Sequence, residues 1–215
     1  MWRAEPRQAG EENAAKIIVV GGAGTIGRKL VPALQSNGHE VVTAGRSSGQ
    51  THVDLNSHPS IETMYQQVTG VDAVISIAAH GDLDDFATLT TDALHDNMRA
   101  KFYGQVDLVL TGQHQCNDTA SFTLTSGIFA DQAWPHVTGG GVISGALHSF
   151  ALSDAIELPR AMRINVVSPT MIADSVDTFD EHFPDMRPVP MDTLLEHYLH
   201  CVESADTGRI IRAYG

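Results

Sequence analysis

The chain is poor in cysteine, in basic residues and in long apolar runs, and each shortage excludes a class of protein. Only two of its 215 residues are cysteines, Cys116 and Cys201, too few and too isolated for a disulfide framework or a thiolate metal site. The 13 lysines and arginines face 26 aspartates and glutamates, and the net charge of -13 argues against nucleic acid or an anionic membrane as a partner. No run approaches the roughly 20 apolar residues of a membrane-spanning helix.

Two further absences narrow the class of protein. Residues 1–15 are polar and lack the apolar segment of a signal peptide, so we expect a flexible tail and a cytoplasmic protein. The 11 histidines form no ligand pattern such as His-Glu-x-x-His, so we expect no metal site. The hydrophobic content of 42% is enough for one domain with a good core, which we place at residues 16–215.

Short segments rich in Val and Ile alternate with amphipathic segments along the chain. The predicted strands are 16–21, 40–44, 51–54, 73–77, 121–125, 163–168 and 209–213. The predicted helices are 26–37, 61–68, 91–110, 142–157 and 191–203. This alternation predicts an α/β fold with a doubly wound parallel sheet of the Rossmann type, helices on both faces and ligands at the carboxyl ends of the strands. Residues 174–190 are rich in Asp, Pro and Phe and break the alternation, so we expect a substrate loop or lid there.

The most informative motif is Gly-Gly-Ala-Gly-Thr-Ile-Gly at residues 21–27, between an apolar strand and an amphipathic helix. The first glycine permits a tight turn, the second lets a pyrophosphate approach the backbone, and the third lets the helix pack against the strand. The helix N-terminus then offers free N–H groups to phosphate. The alternative is an ordinary glycine-rich turn. We expect dinucleotide binding by Gly21, Gly24, Thr25, Ile26 and Gly27.

Arg46, Ser47 and Ser48 follow the second predicted strand, and no carboxylate stands beside them. In Rossmann domains this position meets the adenosine ribose, where an acidic side chain binds a free 2′-hydroxyl and an arginine accommodates a 2′-phosphate. A guanidinium fork suits phosphate, and the two serine hydroxyls can complete the site. The sequence therefore predicts NADP(H) over NAD(H), although Arg46 is alternatively a solvated surface side chain.

Several segments in order resemble the short-chain dehydrogenase/reductase family over nearly the whole chain after residue 15. Val-Asp-Leu at 53–55 resembles the family's adenine-contacting pair, and residues 76–81 lie where the family has Asn-Asn-Ala-Gly. Residues 123–127 resemble the strand end with the catalytic serine, here Ser126. The most specific match is 163–170, similar to the segment that packs near the nicotinamide. The resemblance implies further cofactor contacts at Asp54, Leu55, Ala78, Ala79, Gly81, Pro169 and Ile172.

The chain departs from the family at the Tyr-x-x-x-Lys pair. In the family the tyrosine is the general acid/base, and the lysine lowers its pKa and holds the nicotinamide ribose. Aligned on Gly-Ala-Leu at 145–147, this chain has Gly140 at the tyrosine position and Ser144 at the lysine position. Lys101 aligns with the family's catalytic asparagine, so only Ser126 of the usual four residues is retained.

A carbonyl reductase without that tyrosine needs another proton donor near the developing alkoxide. Lys101 is one candidate, because burial would bring its pKa toward neutrality. His136, in the loop between the serine and the glycine run, is a second, because histidine titrates near neutral pH. We therefore name Ser126, Lys101 and His136 as the catalytic candidates, and we assign His148 to packing or an interface.

The sequence thus predicts an NADP(H)-dependent oxidoreductase of the short-chain type, acting on a small-molecule carbonyl or alcohol with a non-standard catalytic set. Two alternatives stay open. One is a catalytically inactive NADP-binding module, a sensor or partner subunit, and the other is a non-redox isomerase or lyase on the same fold. The helical segments 91–110 and 142–150 carry more apolar and small residues than one sheet face needs. Together with the resemblance, this implies a homodimer or homotetramer.

Overall fold

A computed structural model describes residues 14–77, 84–175, 182–183 and 185–215. Its seven-stranded sheet has the order β3-β2-β1-β4-β5-β6-β7, and every neighbouring pair is parallel. The strands are β1 Lys16–Val20, β2 Glu40–Gly45, β3 Thr51–His52, β4 Ala73–Ser76, β5 Ser121–Thr125, β6 Arg163–Pro169 and β7 Arg209–Ala213. This is the predicted doubly wound Rossmann sheet, and all its strands end at one edge.

Helices cover both faces of the sheet. The α-helices are α1 Gly27–Ser36, α2 His58–Gln67, α3 Thr91–Met98, α4 Gln105–Gly112, α5 Thr138–Asp154 and α6 Met191–Glu203. A π-helix, Arg99–Gly104, joins α3 to α4, and short 3-10 turns lie at Ile128–Ala130 and Ala173–Ser175. None of the helices in the described ranges is long and apolar enough to cross a membrane.

Strand β1 shows why the central strands are apolar throughout. Ile18 and Val20 are buried in one core cluster, together with residues of α2, α4 and α5. Ile17 and Val19 belong to a second cluster, with residues of α1 and α6. Since side chains alternate between the faces of a strand, a sheet covered on both sides has no polar face to display.

The predicted continuous helix over 91–110 is wrong, because the π-helix Arg99–Gly104 separates α3 from α4. Apolar residues recur every four positions on both sides of the break, so the pattern does not reveal a single wider turn. Gly104 ends the π-helix in close contact with Leu55: a Cβ on this glycine would lie 2.6 Å from the Leu55 Cβ and carbonyl oxygen. The break thus coincides with a tight approach of the helix to the segment after β3.

The predicted start and end of α5 are also wrong. The helix begins at Thr138 and ends at Asp154, so the glycine run 139–141 lies inside it, where 142–157 was predicted. Asp84 explains the early start, because its Oδ2 accepts a hydrogen bond of 2.7 Å from the Gly139 backbone N–H. A cap supplied by a residue far away along the chain leaves no local sequence signal.

Two predicted mobile regions lie partly outside the described residues. Of the tail at 1–15, the structure describes Ala14 and Ala15, and the Ala15 carbonyl accepts from the Glu40 N–H at 2.9 Å. Of the segment 174–190, residues 176–181 and 184 are not described. Its base is closed by a bridge between Ile172 and Val189.

Candidate functional site

The carboxyl edge of the sheet brings most predicted site residues together. Gly21 follows β1, Arg46 follows β2 and Ser126 follows β5, while Pro169 is the buried last residue of β6. Asp54 lies two residues beyond β3. Three predicted cofactor contacts, Ala78, Ala79 and Gly81, fall outside the described residues.

The glycine turn between β1 and α1 fits a phosphate. Gly21 has a φ of +92°, a left-handed conformation that favours glycine. A Cβ on Gly27 would lie 2.4 Å from the Gly21 carbonyl oxygen, so the helix packs too closely on the turn for any side chain there. Among the described residues, the N–H groups of Thr25 and Ile26 have no hydrogen-bond acceptor. Gly24, which precedes them, and Thr25 are exposed, so the amides and the start of α1 are open to an anion.

Arg46, Ser47 and Ser48 form an exposed turn beyond β2. Two glycines shape it: Gly49 has a φ of +122°, and a Cβ on Gly45 would lie 2.5 Å from the Ser48 carbonyl oxygen. Within the described part of the chain no carboxylate pairs with Arg46. A guanidinium and two hydroxyls therefore stand together, and no carboxylate of the described residues forms an ion pair with the guanidinium.

Asp54 and Leu55 hold the chain between β3 and α2. The Asp54 Oδ1 accepts from the Asn56 backbone N–H at 3.0 Å and from its side-chain amide at 3.2 Å. Its Oδ2 makes no hydrogen bond to any described residue, so one carboxylate oxygen remains for a ligand donor. Leu55 is buried against Gly104, which gives this residue a packing role as well.

Ser126 is buried at the end of β5, and its hydroxyl is hydrogen-bonded to His148 of α5. The Ser126 Oγ and His148 Nε2 atoms lie 2.8 Å apart. The serine N–H donates to the Val167 carbonyl at 3.0 Å, which fixes the residue beside β6. Burial of the imidazole lowers the pKa of His148, against the attraction of the Asp131 carboxylate. The sequence predicted a packing or interface role for His148, although its helical spacing from Ser144 places the two on one face of α5.

A polar cluster lies next to this pair, at the carboxyl end of β7. Arg212 donates to both carboxylate oxygens of Asp131, at 2.7 and 3.2 Å. The Tyr214 hydroxyl also bonds Asp131 and lies 3.3 Å from the Ser168 Oγ. The hydrogen bond from Arg212 is the largest cause that lowers the pKa of Asp131, so this carboxylate stays ionised. None of these residues stood out in the sequence, because the contacts join segments far apart in the chain.

Gly140, which the sequence aligns with the family's tyrosine, lies against the ring of Phe129. A Cβ on Gly140 would lie 3.2 Å from Cδ2 of Phe129. This ring packs on Phe183, with centroids 5.4 Å apart, and Phe183 meets Trp134 edge-on at 5.8 Å. At the lysine position, Ser144 is fully buried, and its hydroxyl has no hydrogen-bond partner among the described residues. Neither Gly140 nor Ser144 can therefore perform the role of the family's tyrosine or lysine.

Lys101 lies on the π-helix, and Gln105 ties its backbone to the serine strand. The Gln105 Nε2 donates to the carbonyls of Lys101 at 2.6 Å and of Thr125 at 3.0 Å. The Thr125 N–H donates back to the Gln105 Oε1 at 2.9 Å. Burial lowers the pKa of Lys101, and no carboxylate of the described residues pairs with it. Gln105, which no sequence motif singled out, is fully buried and joins the π-helix to the residue before Ser126.

His136 is exposed in the loop before α5, with a φ of +61°. Its carbonyl accepts from the Asp84 N–H at 2.9 Å, so its backbone helps to hold the loop. No contact among the described residues joins its ring to Ser126. Ile172 is half-buried at the base of the 174–190 segment, where the neighbouring Ala173 N–H donates to the Val189 carbonyl at 3.0 Å.

A cavity of about 350 Å³ opens beside the start of α5. Its walls are Asp84, Asp85, Thr88, Leu89, Ala93, Asp96 and Asn97. Despite these three carboxylates, no group of metal-binding side chains occurs within the described ranges. The cavity adjoins the first turn of α5, because its wall residue Asp84 accepts the hydrogen bond from the Gly139 N–H.

Comparison with known proteins finds a family model that matches part of the chain and solved structures that match nearly all of it. The model of the NAD dependent epimerase/dehydratase family matches residues 17–103. The crystal structure of the protein lin1944 from Listeria innocua is 36% identical, covers 94% of this chain and 100% of its own, and superposes with a TM-score of 0.91. A small-chain dehydrogenase solved in complex with NADPH is 21% identical over 93% of this chain and 96% of its own, with a TM-score of 0.82, and shows the fold.

A curated relative adds a partial match. The 3-beta-hydroxysteroid dehydrogenase of Mycolicibacterium neoaurum is 31% identical over 108 residues, which are 46% of this chain. The match spans only 28% of that relative's length. The glycine turn, the order of the strands, the serine at the end of β5 and these matches together lead to one assignment. The chain has the fold of the short-chain dehydrogenases/reductases and resembles a compact and divergent member of them that lacks the Tyr-x-x-x-Lys pair.

Proposed function

We propose that this protein is an NADP(H)-dependent oxidoreductase that acts on a carbonyl or alcohol group of a small molecule with a non-standard catalytic set. The observation that carries the proposal is the Ser126 hydroxyl, buried at the carboxyl end of β5 on the same edge as the glycine turn. When bound, the cofactor supplies the hydride. The chain's own residues position the substrate oxygen and manage the proton that accompanies the hydride.

The residues that would hold the cofactor follow the order of the strands. The free amides of Thr25 and Ile26 would face the pyrophosphate, and the Arg46 turn would face the adenosine ribose. Ala78, Ala79 and Gly81 would border it after β4, with Pro169 and Ile172 on the nicotinamide side. Preference for the 2′-phosphate is supported by the unpaired Arg46 guanidinium with its two serines, and by the NADPH bound to the similar small-chain dehydrogenase.

Thermal unfolding tests this cofactor preference. Because a ligand stabilises the folded state by mass action, NADPH should raise Tm more than NADH does at equal concentration. Arg46→Ala removes charge-assisted hydrogen bonds to phosphate and should weaken NADPH about tenfold or more, with little change for NADH. Arg209→Ala is the matched control, because Arg209 is exposed at the amino end of β7, on the opposite edge of the sheet. Equal stabilisation by both cofactors in the unmodified protein contradicts the preference.

A second candidate function is an NADP-binding module without turnover. The specific observation in its favour is Phe129, which fills the space next to Gly140 where the family's tyrosine begins. Oxidation of NADPH against a broad panel of ketones, aldehydes and quinones separates the two functions. Turnover with any member supports the oxidoreductase, whereas tight NADPH binding without turnover supports the module.

We also propose that the chain forms a homodimer or homotetramer. Two helical segments expose large apolar side chains: Tyr103 and Leu110 on one, Val142 and Leu152 on the other, with exposures of 53, 46, 43 and 53%. Exposed apolar residues on two long helices are typical of a surface covered by another copy. Light scattering at micromolar concentration should report a symmetric oligomer, and Leu152→Glu should shift it toward monomer. A monomeric unmodified protein refutes this proposal.

A further inference from the structure

We infer that His148 holds the proton that the family's tyrosine would hold and passes it through Ser126 to and from the substrate oxygen. This inference rests on the proposed oxidoreductase function and deepens it, because it names the group that replaces the lost acid.

The geometry singles out His148 among the candidates. Its Nε2 lies 2.8 Å from the Ser126 Oγ, a hydrogen bond between two buried side chains. The ring of His136 is exposed and makes no described contact with the serine. Lys101 is linked to β5 through its backbone carbonyl, which accepts a hydrogen bond from Gln105. Among the described residues, its ammonium group makes no hydrogen bond to Ser126. Position 140 is a glycine, so it offers no phenol, and a Cβ there would lie 3.2 Å from the Phe129 ring.

The proton transfer balances in both directions. During carbonyl reduction the Ser126 O–H bond breaks as the substrate O–H bond forms, and the serine oxygen takes a proton from the imidazolium Nε2–H of His148. The imidazole becomes neutral, and the substrate gains one proton for each hydride. During alcohol oxidation the proton moves the other way, and neutral His148 is the base. A serine hydroxyl can make this exchange because it donates one hydrogen bond while accepting another.

The charged groups that act on His148 come from two elements beside α5. Asp131, after the 3-10 turn Ile128–Ala130, raises the pKa of the imidazole, and Arg212 of β7 lowers it. Asp131 and Arg212 form an ion pair, and their effects on the pKa of His148 oppose each other. Desolvation remains the largest cause of the lowered pKa of His148. Asp131 and Arg212 lie at least partly in solvent, so a proton can leave the site on this side.

The relay predicts opposite pH dependences for the two directions. His148 is mostly neutral at neutral pH, because its pKa lies below the ordinary value of about 6.5. Alcohol oxidation should therefore proceed at neutral pH and fall as the pH drops through the pKa of His148. Carbonyl reduction needs the imidazolium and should rise over the same interval.

The first test uses the protein without cofactor. NMR of the histidine rings, with His148→Gln to assign its signal and His95→Gln as a surface control, measures the titration of each ring. We expect His148 to titrate below about 6.5, and Ser126→Ala to move its midpoint and ring shifts. A His148 signal with an ordinary midpoint that ignores Ser126→Ala overturns the inference.

The second test uses turnover. His148→Gln should lower kcat by roughly 10²-fold and remove the pH dependence assigned above, while the Kd for NADPH changes less than a few fold. Ser126→Ala should lose a similar factor, and the double variant should lose little more, because both groups serve one proton path. If His136→Gln or Lys101→Met removes the pH dependence and His148→Gln does not, the relay is wrong.

Failure of the relay and failure of the proposed function give different results. NADPH turnover with an unchanged pH profile in His148→Gln overturns the relay alone. Absence of wild-type turnover on the whole substrate panel overturns the proposed function, and the relay with it. If His148→Gln unfolds early, Ser126→Ala keeps the imidazole in place and must show the same loss of the pH dependence.

Discussion

The two halves of the carboxyl edge of the sheet are shaped differently, one by backbone conformation and the other by contacts between side chains. At the glycine-turn side, β1 to β3, the turn is shaped by backbone: Gly21 in a left-handed conformation, and Gly27 with no room for a side chain. At the serine side, β5 to β7, the site is shaped by side chains from four segments, among them Ser126, His148 and Gln105. A site shaped by backbone can be predicted from a short stretch of sequence. A site shaped by side chains depends on residues that come together only in the folded chain.

The largest expected loss of stability comes from a substitution in the glycine turn. Gly27→Ala places a Cβ within 2.5 Å of the Gly21 carbonyl oxygen and the Gly22 carbonyl group, so backbone must shift. We expect a loss of about 3 kcal/mol in the free energy of unfolding and loss of NADPH binding. Gly145→Ala is the control, since a Cβ there meets nothing within 4 Å in the middle of α5, and it should stabilise by about 0.5–1 kcal/mol. Denaturant unfolding and NADPH titration measure stability and cofactor binding of the two variants. Equal losses in Gly27→Ala and Gly145→Ala would contradict the packing argument.

The next effect concerns the serine side alone. Gln105→Leu removes the acceptor of the buried Thr125 N–H and the donor to two carbonyls, and an orphaned buried amide costs about 2 kcal/mol. The gain in Tm from NADPH should persist, because the glycine turn is untouched. Gln113→Leu makes the same chemical change at a less buried position and should stay within about 0.5 kcal/mol. An equal loss of stability in Gln113→Leu would mean that the buried hydrogen bonds of Gln105 contribute no additional stability.

A smaller effect measures how firmly the tyrosine space is closed. Gly140→Tyr should destabilise the protein by about 1–3 kcal/mol, because its Cβ meets Phe129 at 3.2 Å. In a Phe129→Ala background the same substitution should cost less, with a coupling of about 1 kcal/mol from urea unfolding of the four proteins. Additive costs would show that the two positions do not compete for one space.

The smallest effect uses the opposite pKa shifts of two histidines. The hydrogen bond to Asp107 raises the pKa of exposed His58, whereas burial lowers that of His148. The His58 contribution is therefore full below about 6.5 and disappears as the pH rises through its folded-state pKa. The His148 contribution has the opposite sign, and stability falls as the pH drops below about 6.5 toward its folded-state pKa. Unfolding of His58→Ala and His148→Gln against pH should each flatten one of these slopes, and an unchanged curve would reject the assignment.

The contrast between the two sides also explains what the sequence could predict. All seven strands and the glycine turn follow from local patterns, since apolar runs and glycine spacing lie within a few residues. The π-helix, the cap from Asp84 and the Phe129 ring at Gly140 involve contacts that no local pattern records. His148 was noticed but assigned to packing, because its bond to Ser126 requires the fold that brings α5 onto β5.

The π-helix sets the rotational phase between α3 and α4. One residue advances an α-helix by about 100°, so a turn with an extra residue changes which side chains upstream face the interior. Deleting one residue from 99–104 would leave the sheet in place but rotate α3 by about 100° relative to α4. Asp96 and Asn97 would then swing away from the acidic cavity that they line. The charge of that compartment is therefore governed by the angular setting of one helix as much as by the residues it carries.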